Sequence, residues 1–102
     1  MEVTVRDRIA AFTPEDGFWL PLDDLLVELW NSDPTPLDLP LLFAIFERFP
    51  EDDGAGVLWS IIHAVEGLPF NYEDELKASL ERQESEMGRI LWDRLQRAKT
   101  EG

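Results

Sequence analysis

"LPLLFAIFERF", residues 39–49, is apolar nearly all the way round a helical wheel. A helix lying on a surface keeps one polar side, so a segment with apolar residues on every side belongs between other helices. The run is therefore expected to be the central helix, with its neighbours laid around it. Asp38 stands where an N-cap is needed, and Pro40 falls in the first turn, where its missing N–H breaks no hydrogen bond.

The flanking segments repeat helical spacing, and convincing period-two strands are absent. On the N-terminal side, Leu22, Leu25, Leu26 and Leu29 form an i, i+3, i+4, i+7 stripe with Asp23, Asp24 and Glu28 turned away from it. That helix begins near Pro21 and ends at "NSDPTP", residues 31–36, whose prolines cannot continue it. On the C-terminal side, "PEDDG" supplies a loop, Asp52 or Asp53 a cap, and Leu58, Ile61, Ile62 and Val65 a buried stripe that Gly67 and Pro69 terminate. Asn71 is a cap with Asp74 three residues on, and Tyr72, Leu76 and Leu80 continue the inner face. A last helix has Ser85 as its cap and Leu91, Leu95 and Ala98 inward. Because "RQESEMG" is a weak breaker, residues 72–98 are read as either one helix or two.

"PEDGFW" at 14–19 is echoed by "PEDDGAGVLW" at 50–59, and "GRILW" at 88–92 resembles "GVLW" at 56–59. Offsets of this size suit stacked helix pairs. The expectation is an all-α fold: five or six short helices in stacked antiparallel helical hairpins, either an irregular bundle or a short HEAT-like solenoid. Its 102 residues suffice for one core, hence a single helical domain over 1–102.

Composition narrows the function. With 44% hydrophobic residues and four tryptophans the chain is outside the disordered class despite a net charge of −13. The absence of cysteine removes disulfides, thiolate metal sites and a cysteine nucleophile. "MEVTVRDRIAAF" lacks the basic start and apolar run of a signal peptide, and no apolar stretch reaches ~18 residues, so the expected location is cytoplasmic.

The charge is uneven. Between Ile9 and Leu76 stand fifteen acids against one base, Arg48, whereas from Lys77 onward there are six bases and five acids. Such a body repels nucleic acid and anionic lipid and attracts a basic protein surface. Solubility alone is the plain alternative.

The helix after Gly56 carries a second stripe about a quarter turn from its apolar one: Trp59, His63 and Glu66. As a recognition rim it offers an aromatic anchor, a titratable donor and a carboxylate together. As a structural row it would pack Trp59 on a neighbouring helix and hydrogen-bond His63 to Glu66. Metal binding is not expected, since His63 has no second histidine and "EDDG" lacks the alternating ligands of a calcium loop. No cofactor is expected, because the glycines of "GAG" are ringed by carboxylates that would repel a phosphate. Ser60 and His63 fall on different helix faces, so nothing here argues for an enzyme. One or two of Glu51, Asp52 and Asp53 suffice for capping, and a basic partner is the simplest reason for the remaining acids.

"FERFPEDDGAGVLWSIIHAVEGLP" followed by "LKASLERQESEMGRILWDRL" resembles the central and C-terminal part of a family of small bacterial immunity proteins, over roughly residues 43–95. The most specific piece is the acidic-glycine turn leading into Gly56, Trp59, Ser60, His63 and Glu66; a proline expected at Glu84 and an asparagine expected near Asp93 are missing. The resemblance implies a protein that binds and neutralises a cognate toxin domain, a basic protein, by occlusion. The surface then expected to make contact is Glu51, Asp52 and Asp53 with Trp59, His63 and Glu66, supplemented by Asp23, Asp24 and Glu28. The alternative is a non-enzymatic helical adaptor or regulatory protein that binds a basic partner. Exposed tryptophans also admit a homodimer.

Overall fold

The computed structural model describes residues 4–101, the last by its backbone alone. The N-terminal reading as it concerns residues 1–3 lies outside these. Six α-helices follow one another: α1 Val5–Ala11, α2 Leu20–Trp30, α3 Leu39–Arg48, α4 Val57–Gly67, α5 Glu73–Arg82 and α6 Glu86–Glu101. Short 3-10 turns, Pro36–Asp38 and Gly54–Gly56, lead into α3 and α4.

Consecutive helices pair as α1 with α2, α3 with α4 and α5 with α6. Alternate helices stack as well, α1 on α3 on α5 in one row and α2 on α4 on α6 in the other. This is the two-row arrangement of stacked helical hairpins. Among the described residues only α3 touches four other α-helices, namely α1, α4, α5 and α6. Leu39, Leu42, Phe43, Ile45 and Phe46 are accordingly sealed from solvent, as an apolar wheel requires. One buried cluster runs from Ile9 through these residues and the α4 stripe to Leu91.

The caps differ from expectation in instructive ways. Asp38 occupies the position before α3, yet its carboxylate caps nothing there. It accepts a hydrogen bond from the Thr35 N–H (2.9 Å) and a bidentate pair from Arg6 (2.6 and 3.0 Å). Asp38 is buried, and a buried carboxylate needs a cation more than a helix end needs a cap. Asp52 and Asp53 likewise serve the turn rather than α4: their Oδ1 atoms accept from the N–H groups of Gly54 (2.9 Å) and Ala55 (3.1 Å). Asn71 accepts from Glu73 N–H (3.0 Å) rather than from Asp74.

Ser85 does cap α6, its Oγ accepting from Gly88 N–H at 3.1 Å. The break between α5 and α6 makes residues 72–98 two helices. It is fixed from outside, by Glu86 N–H donating to the Pro50 carbonyl at 2.7 Å. Leu91 is buried and Leu95 half-buried, but Ala98 is exposed.

Trp19 joins two loops. Its indole lies edge-on to Phe49 (5.0 Å between centroids) and tilted against Phe12 (5.8 Å). Gly54, at φ +61°, approaches so closely that a Cβ there would stand 3.1 Å from the indole and 2.7 Å from Leu58 Cγ. The turn before α2 and the acidic loop before α4 are thus anchored on one buried ring.

Candidate functional site

Carboxylates fall into two groups by what they meet. Glu47 accepts from Ser79 Oγ (2.8 Å) and twice from Arg82 (3.0 Å each). Burial pushes its carboxyl up, and the Arg82 and Ser79 hydrogen bonds outweigh that and hold it below the usual carboxylate range. Glu66 forms a bidentate pair with Arg94 (2.8 and 2.9 Å), which lowers it. Glu73 pairs with Lys99 at 2.8 Å. Three bases of α5 and α6, Arg82, Arg94 and Lys99, therefore reach back to acids of the body. Arg48, the lone base within the body, donates to the Ile9 carbonyl (3.1 Å) at the end of α1, where positive charge suits the helix dipole.

No such partner meets Glu15, Asp16, Asp23, Asp24, Asp33, Glu51, Asp74 or Glu75 among the described residues. Four of these acids, Glu15, Asp16, Asp23 and Asp24, flank the start of α2.

The residues expected to make contact are distributed as follows. Trp59 is half-buried and packs on the core; His63 is exposed, with its ring 6.0 Å from the indole. Glu66 turns to Arg94 instead of His63, so the histidine–carboxylate bond of the structural reading does not form. A planar guanidinium satisfies both carboxylate oxygens at once, which an imidazole cannot. Asp52 and Asp53 are exposed but engaged with their own turn, while Glu51 lines an open depression of about 530 Å³ with Ser85, Glu86 and Arg89. On α2, Asp24 is exposed, Asp23 half-buried, and Glu28 faces Arg8 at 3.8 Å. Trp59 and His63 are thus neighbours, Glu51 to Asp53 form a separate loop, and the α2 acids make a third surface.

That third surface holds residues the sequence reading did not single out. Phe18, Leu20 and Val27 are 54%, 59% and 51% exposed. Leu20 and Val27 are seven residues apart, two helical turns, on the side of α2 opposite buried Leu22, Leu26 and Leu29. Before them, Glu15 to Phe18 make a tight reversal: Asp16 (φ +51°) and Gly17 (φ +76°) are both left-handed, and Phe18 N–H donates to the Glu15 carbonyl at 2.9 Å. Asp-Gly is the pair such a turn favours, a signal legible in "EDGF". The reversal sets Glu15 and Phe18 side by side as a bridged pair. Between them and α1 lies a cavity of about 250 Å³ lined by Phe12, Thr13, Glu15, Phe18 and Pro21.

Among the described residues no helix is long and apolar enough to cross a membrane. Compared with known proteins, the chain matches no family model, no curated protein and no solved structure.

Proposed function

We propose that this protein is an immunity protein that binds a cognate bacterial toxin domain and neutralises it by occlusion, an acidic surface meeting a basic one. One observation carries the reading: Glu15, Asp16, Asp23 and Asp24 at the start of α2 have no internal cation among the described residues, although the same fold gives Glu47, Glu66, Glu73 and Asp38 each a base, and Glu28 further along α2 faces Arg8. Unneutralised like charges raise the free energy of the compact state, so their retention calls for a role outside folding. Steering a basic partner into a fast encounter is such a role. The likeness of residues 43–95 to immunity proteins gives the partner its class.

Co-expression with the product of the adjacent gene tests it. Growth rescue from a toxin domain, with co-purification of the two chains, is the expected result. Neighbouring genes of metabolism or transport, with no growth effect, would favour a helical adaptor instead. Complex formation indifferent both to salt and to charge reversal of the unpaired acids would remove the electrostatic part.

A further inference from the structure

We propose that the outward face of α2, together with the notch at its N-terminus, docks a basic amphipathic segment of the partner protein, one lysine or arginine of which enters the notch. The identity of that partner as a toxin rests on the reading above; the docking chemistry does not.

Phe18, Leu20 and Val27 lie within ten residues of one another and are all more than half exposed. Leu20 and Val27 sit on the solvent side of α2, opposite its buried Leu22, Leu26 and Leu29, about 10 Å apart along its axis. Nothing in the fold requires apolar residues there. Asp24 lies between them on the same face and Asp23 along one edge, with Glu15 and Asp16 at the N-terminal end. An apolar strip bordered by unpaired carboxylates is complementary to apolar side chains bordered by Lys or Arg.

The notch narrows the chemistry further. Phe12, Phe18 and Pro21 supply apolar walls and Glu15 the carboxylate. Lysine and arginine have that composition in reverse, an aliphatic stem with a charged head, so the stem lies along the walls while the head meets Glu15 near the Phe18 ring. The site is preorganised: the reversal is closed by its own hydrogen bond and followed directly by buried Trp19. Less ordering is then needed on binding. A second copy of this chain fits poorly, since it would bring two acidic borders of a −13 protein together.

The probe is an 18-residue helical peptide of leucine and lysine, titrated into the full chain by isothermal calorimetry and by amide chemical-shift mapping. Shifts should centre on residues 12–31. Leu20→Ser with Val27→Ser should weaken binding about tenfold or more, and Glu15→Gln severalfold; Glu51→Gln should change it less than about twofold. Circular dichroism should show each variant as helical as the wild type, because all four positions are exposed. A serine–lysine peptide should bind far more weakly than the leucine–lysine one. Equal binding of the two peptides, undiminished affinity in the Leu20/Val27 variant, or shifts centred on residues 51–66 would overturn the assignment. A concentration-dependent dimer in sedimentation, lost in the Leu20/Val27 variant, would assign the face to a second copy instead. If the toxin is found and the Leu20/Val27 variant still rescues growth, the docking face fails while immunity stands; if the peptide docks here and no toxin is found, immunity fails while the face stands.

Discussion

The side of the molecule built by α5 and α6 and the side built by the 15–18 turn and α2 carry similar acids in opposite circumstances. On the first, three body carboxylates have a base reaching them from a distant part of the chain: Glu47 with Arg82, Glu66 with Arg94, Glu73 with Lys99. On the second, Glu15, Asp16, Asp23 and Asp24 stand among exposed Phe18, Leu20 and Val27. The mixed charge of the last two helices is therefore the counterpart of part of the body's acidity, and net charge alone conceals that division. Of the acids left after pairing, Glu15, Asp16, Asp23 and Asp24 gather in one place, beside three of the exposed large hydrophobic side chains.

The largest effect should come from breaking the junction between the two acidic loops. Trp19→Ala removes the indole that Phe12, Phe49 and Gly54 pack against. A loss of about 3–5 kcal/mol in urea denaturation is expected, the usual range for truncating a buried large aromatic. A loss below about 1 kcal/mol would mean that the loops are held independently.

A smaller effect tests the paired group. Arg6→Ala leaves the Asp38 carboxylate buried without its cation and should cost about 2 kcal/mol, less than a wholly buried pair because the Arg6 side chain is 39% exposed. The pH dependence has a definite sign. Arg6 holds Asp38 below its ordinary range, and Arg94 does the same for Glu66. Their contribution is complete at neutral pH, begins to fall as the pH drops to the unfolded carboxylate value of ~4, and is lost below the folded values. Thermal melts between pH 7 and 2 should show a shallower acid decline in Arg6→Ala than in the wild type.

The legible part of this fold is the part where burial dictates residue type. The apolar wheel of 39–49 identified the central helix, the leucines of 22–29 the inner face of α2, and Ser85 the start of α6. Misread were the polar residues with a choice of partners. Asp38 had a helix N-terminus one residue away in sequence and Arg6 thirty-two residues away, and the distant cation won because the carboxylate is buried. Glu66 had His63 one turn away and took Arg94 from another helix. Such choices depend on which helices stack, information that local spacing does not carry. The α2 face is legible only in part: the seven-residue spacing of Leu20 and Val27 puts them on one side, and "EDGF" carries the Asp-Gly pair of a reversal, but spacing does not tell an exposed apolar pair from a buried one.

The most direct measurement compares the folding stability of two variants by urea denaturation at pH 7. One carries Glu47→Gln and Glu66→Gln; the other carries Glu15→Gln, Asp16→Asn, Asp23→Asn and Asp24→Asn. The first should lose about 1–3 kcal/mol with its ion pairs and hydrogen bonds. In the second, release of mutual repulsion offsets the helix-dipole contribution of Asp23, about 0.3–1 kcal/mol, and stability should stay within about 1 kcal/mol of the wild type. A loss in the second variant as large as in the first would show that the α2 acids serve the fold, and would contradict their assignment to a partner.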